Sequence, residues 1–231
     1  MEMTRTCFKD KLARVREVVE RAAAKSGRKA SDIALVAVTK GVGVETVLEA
    51  IESGLTLFGE NRVQEAESKI PAVQNPSVQW HLVGHLQSNK VRNALSLFSL
   101  VQSVDSLRLA EHVSASAIAE NKTVSVLLEV NLSGEKQKYG FESEELYGAV
   151  DQIALLPAVK VEGLMGIAPN VPDLSVRRDS FRKLKGLYSV CKTLKRGSVE
   201  MKWLSMGMSD DYEVAIEEGA NMIRVGRALF R

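Results

Sequence analysis

Eight short apolar runs alternate with amphipathic segments along this chain, and no other feature limits its fold as strongly. The runs cover residues 33–39, 55–60, 78–84, 97–103, 123–131, 159–167, 200–207 and 221–226. Segments with apolar residues at helical spacing follow the first seven runs, and one more, 8–25, precedes them all. Repeated strand–helix units build parallel sheets, because each helix connects two parallel strands. Eight such runs in 231 residues predict a single (β/α)8 TIM barrel with an extra N-terminal helix.

An open, doubly wound parallel sheet is the alternative architecture. Its nucleotide-binding form carries G-x-G-x-x-G after the first strand, and the stretch KGVGVE (40–45) matches that pattern poorly. The chain has no linker rich in proline, glycine or serine, so we expect one domain over 1–231. Because no full helix follows Phe230, we expect the leading helix to cover that part of the barrel.

Composition argues against several functional classes. With 45% hydrophobic residues and a formal net charge of +2, the chain is typical of a globular protein with no nucleic-acid or membrane partner. The basic run 176–197 is typical of a solvated helix face. Cys7 and Cys191 show no metal-ligand spacing, and the charged stretch 1–32 lacks the apolar core of a signal peptide. We therefore expect a reduced, cytoplasmic protein.

The carboxyl ends of the strands form the functional face of a barrel. Polar residues and glycines gather at these ends, at Lys40, Gly59, Glu60, Asn61, His81, Gly84, His85, Ser103, Asn131, Met165, Gly166, 205–209 and 224–226. Loops are generally polar, so the prediction of a site rests on their convergence. His81 and His85 are four residues apart, but the pair begins in a strand without a third acidic ligand, and we predict no metal site.

The end of strand seven, LSMGMSDD (204–211), has the pattern of a phosphate site. Gly207 allows a ligand to approach the backbone, and Ser209 is placed to cap the next helix, whose amide donors would bind phosphate. Gly226 adds a second turn after strand eight, where barrels often bind phosphate. The alternative is that Asp210 and Asp211 are ordinary acidic residues of a first helical turn, with no ligand present.

Lys40 follows strand one, next to strand eight in a closed barrel, so Lys40 and Arg224 would share one cavity with the 207–209 turn. A desolvated lysine beside another cation is an amine prepared to form a Schiff base with an aldehyde. An aldehyde that carries a phosphate would fit, and pyridoxal 5′-phosphate (PLP) is one. An ordinary charge at the end of a strand is the alternative interpretation of Lys40.

Seven stretches of the chain, in order, resemble the pyridoxal phosphate homeostasis family. They are VAVTKG (36–41), FGENRVQEAESK (58–69), WHLVGHLQSNKVR (80–92), VQSVDS (101–106), LLEVNLSGEKQKYGF (127–141), VEGLMGI (161–167) and LSMGMSDDYEVAIEEGANMIRVGRALF (204–230). The resemblance implies a single barrel similar to the N-terminal domain of bacterial alanine racemase, with PLP as its cofactor.

The resemblance also implies roles for individual residues. Lys40 would hold PLP as a lysine aldimine. The turns 205–209 and 224–226 would hold the phosphate and the ring. Within them Ser209 and the backbone near Gly207 and Gly226 would bind the phosphate, Ser205 and Met208 complete the first turn, and Arg224 would face the pyridine nitrogen. Asn61, His81 and Met165 would line the pocket.

This chain departs from the family pattern at two positions. Arg227 follows Gly226, where the family usually has a small hydroxyl residue that adds a bond to the phosphate. Arg231 follows Phe230, where relatives tend to have glycine. The first change bears on phosphate binding, because the guanidinium of Arg227 would either pair with the phosphate or point to solvent.

Two classes of function follow. The resemblance implies a PLP carrier that takes part in vitamin B6 homeostasis and passes PLP to apo-enzymes. The alternative is an enzyme: a PLP-dependent amino-acid racemase or decarboxylase, or a cofactor-free Schiff-base lyase. An arginine beside the pyridine nitrogen weakens the ring as an electron sink, and a racemase needs a second base, for which Tyr139 is a poor candidate. We expect a non-catalytic carrier, monomeric or weakly dimeric.

Overall fold

In the computed structural model, which describes residues 7–135 and 137–231, eight parallel strands close into a barrel. They are β1 (Ala34–Val38), β2 (Leu57–Glu60), β3 (Gln79–Leu82), β4 (Leu100–Val104), β5 (Val124–Val130), β6 (Val159–Gly166), β7 (Val199–Ser205) and β8 (Met222–Val225). Neighbouring strands follow chain order, and β1 closes the ring on β8 with Ala34 opposite Met222 and Ala37 opposite Val225. The closed ring confirms the TIM barrel and excludes the doubly wound sheet.

Helices surround the barrel in the part of the chain that the structure describes. They are α1 (Phe8–Lys25), α2 (Val44–Glu52), α3 (Val63–Val73), α4 (Val91–Leu97), α5 (Leu107–Ala119), α6 (Leu146–Ile153), α7 (Leu174–Cys191), α8 (Tyr212–Glu217) and α9 (Arg227–Phe230). None of these described helices is long and apolar enough to cross a membrane. The expectation about a signal peptide rests partly on residues 1–6, which lie outside the described residues.

The leading helix α1 takes the place of a full eighth helix, as the sequence predicts. The rings of Phe8 on α1 and Phe230 on α9 stack with their centroids 5.5 Å apart. Lys25 at the other end of α1 forms an ion pair with Glu217 of α8 at 2.8 Å. The first helix of the chain therefore packs over the last strand–helix unit, where α9 is only one turn long.

The barrel interior is apolar in its middle and polar at the carboxyl ends of the strands. Alternate strand residues point inward, because successive side chains of a strand face opposite sides. Val36, Val83, Leu100, Leu127, Met165 and Met222 form the inner apolar cluster. A larger apolar layer separates the sheet from the helices. The inner cluster supports the polar groups of the site, which lie above it.

Several elements are shorter than the sequence predicts. The predicted run 55–60 begins as a strand only at Leu57, because the amide of Leu55 still bonds back to Ala50 at the end of α2. The segment 210–220 forms a helix over Tyr212–Glu217 alone. Gly219, with a φ of +104°, turns the chain out of the helix. Local turns determine where these elements begin and end, and the spacing of apolar residues in the sequence does not predict those positions.

Candidate functional site

A cavity of about 580 Å³ opens at the carboxyl ends of the strands, within the roughly 300–1,000 Å³ typical of small-molecule sites. Six of the predicted site residues line it: Lys40, Asn61, Met208, Ser209, Arg224 and Gly226. They come from the ends of β1, β2, β7 and β8. The barrel therefore brings the predicted amine and the two predicted turns to one cavity.

Lys40 lies two residues beyond the end of β1, in a turn, and its side chain is exposed. The Lys40 amine is therefore not desolvated, contrary to the expectation from the sequence. The buried residue is its neighbour Thr39. The place of Lys40 at the cavity thus depends on the turn that carries it, and not on burial of its side chain.

Ser209 does not cap the helix that follows β7, contrary to the expectation from sequence. The N-cap position of α8 is Asp211, whose carboxylate accepts a hydrogen bond from the amide of Met208 at 2.7 Å. The Ser209 hydroxyl turns instead to the start of α9. It accepts hydrogen bonds from the amides of Gly226 at 3.3 Å and Ala228 at 3.2 Å. Ser209 therefore joins the two turns that the sequence assigns to phosphate.

Gly207 stands where the chain passes closest to α8. Its φ is +89°, and a Cβ at this position would lie 2.4 Å from the Cβ of Ala215. The Gly207 carbonyl accepts a hydrogen bond from the amide of Arg224 at 3.1 Å. Both the conformation and the close approach require glycine. Gly207 shapes the cavity from behind and is not one of its lining residues.

A chain of hydrogen bonds crosses the barrel beneath the cavity. Arg224 donates to the Ser205 hydroxyl at 2.7 Å, Ser205 donates to Gln102 Oε1 at 2.6 Å, and Gln102 Nε2 lies 2.9 Å from His81 Nδ1. Because the Gln102 amide can only donate, His81 Nδ1 must accept, and the imidazole is neutral. Burial agrees with this, since it lowers the pKa of His81 to about 4.

His81, Ser205 and Met165 are thus placed below the cavity and do not line it. His81 and Ser205 act on it through Arg224, while Met165 belongs to the inner apolar cluster. A second contact, from Arg224 Nη2 to the carbonyl of Gly166 at 3.0 Å, fixes the guanidinium. Burial lowers the pKa of Arg224 to about 10, so the group stays positive at neutral pH.

Sequence reasoning missed two charged groups at or near the cavity. Arg177 on α7 lines it and forms an ion pair with buried Asp211 at 3.5 Å. The signal was present, because Arg177 precedes Phe181 by four residues and Leu184 by seven, on the buried stripe of the helix. Glu129, at the end of β5, is buried, and desolvation, with Asp105 nearby, raises its pKa to about 7. Its position inside a strand of apolar residues was its signal.

Arg227 pairs with Asp210 at the cavity rim. Both side chains are more than half exposed, so the pair contributes about 1 kcal/mol or less. The guanidinium of Arg227 therefore has an acidic partner at the rim, and its pairing with a phosphate stays a prediction.

His85 and Tyr139 form a second group near the same face. The His85 ring stacks on Tyr139 with centroids 3.7 Å apart, and His85 Nδ1 lies 3.0 Å from Asp105 Oδ2. Tyr139 is thus a packing residue of its turn, although it remains exposed. Within residues 7–135 and 137–231, no group of three or more histidine, cysteine or acidic side chains is arranged to hold a metal ion.

Comparison with known proteins shows which family this chain is similar to. Residues 11–231 match the family model of the alanine racemase N-terminal domain. A pyridoxal phosphate homeostasis protein of Aquifex aeolicus (strain VF5) is 39% identical over 221 residues, covering 96% of each chain. A protein of the same name from Escherichia coli (strain K12) is 36% identical over 222 residues, covering 95% of this chain and 94% of the relative.

A solved structure adds a relative with its ligand. PipY of Synechococcus elongatus PCC7942, with PLP bound, superposes with a TM-score of 0.86 at 32% identity, covering 97% of this chain and all of the PipY chain. Fold and cavity together define a barrel of the alanine racemase N-terminal-domain class. Within that class, this chain belongs to the pyridoxal phosphate homeostasis family.

Proposed function

We propose that residues 1–231 form a single PLP-binding domain that holds PLP covalently through Lys40 and takes part in vitamin B6 homeostasis, without strong catalytic activity of its own. The observation that carries this proposal is that one cavity is lined by a lysine amine, the Ser209 turn and the Arg224 guanidinium. An aldehyde with a phosphate needs these groups, and a relative of 32% identity is solved with PLP bound. The Lys40 amine would condense with the aldehyde that bound PLP supplies, with loss of water.

The phosphate would lie at the start of α9. The amides of Gly226 and Ala228 converge there on one oxygen, the Ser209 hydroxyl, so they are already directed at an acceptor. A phosphate oxygen would accept from the same amides, with Ser209 as an additional donor. The Met208 amide is engaged by Asp211, which leaves the Gly226 side of the cavity as the main source of donors.

Arg224 favours holding the cofactor over turnover. Its guanidinium is fixed by Ser205 and Gly166, both neutral acceptors. A fixed positive charge beside the pyridine nitrogen opposes protonation of that nitrogen, and an unprotonated ring withdraws electrons weakly. This supports a carrier, in agreement with the names of the relatives. Apo-enzymes that use PLP are the partners we propose, for a protein that is monomeric or weakly dimeric and cytoplasmic.

The proposal predicts covalent trapping at Lys40. Incubation with PLP followed by borohydride should add one reduced pyridoxyl phosphate group to Lys40, located by peptide mass spectrometry. Lys40→Ala should lose the label and the yellow colour, whereas Lys183→Ala, a change of an exposed lysine on α7, should keep both. A label on other lysines in both variants would contradict the proposal. Exchange of the α-proton of added alanine at the rate of a dedicated racemase would contradict the carrier role.

A further inference from the structure

The turn that carries Lys40 rests on a cluster of charged residues, which we call the Lys69 cluster: the buried Glu60 and Lys69 and the half-buried Glu65. The Lys69 ammonium projects from α3, is 5% exposed, and lies 2.5 Å from Glu60 Oε1 and 2.8 Å from Glu65 Oε1. Lysine is almost never buried unless it is paired. These residues do not line the cavity, and the proposed function gives them no role.

The Lys69 cluster holds the main chain on both sides of Lys40. Lys69 Nζ donates to the carbonyl of Thr39 at 2.6 Å, and Glu65 Oε1 accepts from the amide of Gly41 at 2.6 Å. The Thr39 hydroxyl adds a third contact, to Glu60 Oε1 at 2.6 Å. Residues 39 and 41 are therefore both tied to α3 and β2, and only Lys40 between them projects to the cavity.

Stability alone is a weak explanation for this arrangement. Buried ion pairs are often replaced by apolar residues without loss of stability, because desolvation offsets the attraction between the charges. Glu60 Oε2 is moreover buried without a hydrogen-bond partner among the described residues, which adds to the cost. An apolar replacement would lack the directed hydrogen bonds to a carbonyl and an amide, and those bonds go to the two neighbours of Lys40.

We propose that Lys69, together with Glu60 and Glu65, is a positioning group that fixes the turn of residues 39–41 and so directs the Lys40 amine into the cavity. This inference rests on the proposed function for the meaning of Lys40. The hydrogen bonds from the Lys69 cluster to residues 39 and 41 are present in the protein without PLP. The two statements are therefore tested by separate measurements on the same variants.

Glu65 gives the more informative variants, because it is partly exposed and its loss leaves Lys69 paired with Glu60. Glu65→Ala removes the acceptor of the Gly41 amide, whereas Glu65→Gln keeps an oxygen there. We expect hydrogen–deuterium exchange of the Gly41 amide to rise about tenfold in Glu65→Ala and to stay near wild type in Glu65→Gln. The rate of borohydride trapping at Lys40 should also fall about tenfold in Glu65→Ala and stay near wild type in Glu65→Gln.

Lys69→Met tests the centre of the cluster. It should release both sides of the turn, so that the Gly41 amide exchanges faster and borohydride trapping at Lys40 becomes slower. Lys122→Met is its matched control, because Lys122 also bonds a carbonyl, that of Leu95 at 2.6 Å, and a carboxylate, Glu120 at 2.5 Å, outside the cavity lining. The control should leave Gly41 exchange and trapping unchanged.

The outcomes separate the two proposals. If the Gly41 amide exchanges and Lys40 is trapped in Glu65→Ala at the rates of the wild type, the positioning role is wrong. If Lys69→Met fails to fold, the Glu65 pair decides alone. If borohydride traps no PLP at Lys40 of the wild type, the proposed function fails. Exchange of the Gly41 amide then still decides whether the Lys69 cluster holds the turn of residues 39–41.

Discussion

The Glu129 carboxyl group is a buried acid inside the barrel, 9% exposed, at the end of β5. Desolvation, with a smaller contribution from Asp105, raises its pKa to about 7 against the lowering effect of Arg224. In the unfolded chain this group titrates near its ordinary value of 4.5. Between these two pH values the folded state therefore holds a proton that the unfolded state has lost.

This difference predicts how stability depends on pH. Folding stability from Glu129 is fully present below pH 4.5 and is lost as the pH rises to about 7. At about 1.36 kcal/mol per pKa unit, the loss is about 3 kcal/mol. Urea unfolding from pH 4.5 to 7.5 should show the free energy of unfolding of the wild type falling by this amount relative to Glu129→Gln, which does not titrate. A constant difference across the series would show that the group titrates normally when folded.

Some of the residues that sequence reasoning missed act on the site through a partner. Lys40, Arg224 and Gly226 were predicted because the carboxyl ends of the strands converge in a barrel. A residue that directly follows a strand in the sequence therefore lies near the cavity. Lys69 and Gln102 act on the site through hydrogen bonds across elements, and nothing in the local sequence records a partner from another strand. The prediction that Ser209 caps the helix after β7 was wrong for the same reason, because the Ser209 hydroxyl bonds to the turn after β8.

At the scale of elements, the turn between β7 and α8 depends on Gly207. Its left-handed backbone and its contact with Ala215 leave no space for a side chain. Gly207→Ala should lower the free energy of unfolding by about 2–4 kcal/mol, through backbone strain and overpacking. It should also weaken PLP binding, because the same turn carries Met208 and Ser209 to the cavity. Thermal unfolding and a PLP titration measure the two effects.

A glycine inside a helix provides the opposite control. Gly186 lies within α7, is exposed, and a Cβ built on it meets nothing within 4 Å. Gly186→Ala should raise the free energy of unfolding by about 0.5–1 kcal/mol, because alanine favours the helix, and should leave PLP binding unchanged. If Gly207→Ala behaves like Gly186→Ala, the turn has more freedom than its contacts indicate.

The type and order of the elements could be predicted far better than their ends. The apolar runs of a parallel barrel are short and regularly spaced, because each strand is covered on both faces, and this pattern is visible in the sequence. The end of α1 at Lys25 was predicted because the break at 26–32 is long and polar. The short span of α8 depends on Gly219 and on bonds of the Asp211 side chain, which are tertiary contacts.

At the scale of the molecule, the first and the last of the described helices pack together beside the site. Phe8 on α1 stacks on Phe230 of α9, and Phe230 also lines the cavity. The amides of Gly226 and Ala228 belong to the same short helix start. A helix of one turn has little stability of its own. The position of these amides therefore depends on α1, which lies at the other end of the sequence.

This coupling predicts that a change in α1 affects the cofactor. Phe8→Ala should lower the free energy of unfolding by about 3–5 kcal/mol and weaken PLP binding severalfold, measured by titration well below the melting temperature. Leu12→Ala, at another buried position of α1, should cost about 2–5 kcal/mol and leave PLP affinity unchanged, because Leu12 is not part of the Phe8–Phe230 stack. Equal loss of affinity in both variants would mean that PLP responds to global stability alone. Unchanged affinity in Phe8→Ala would mean that α9 holds its amides without support from α1.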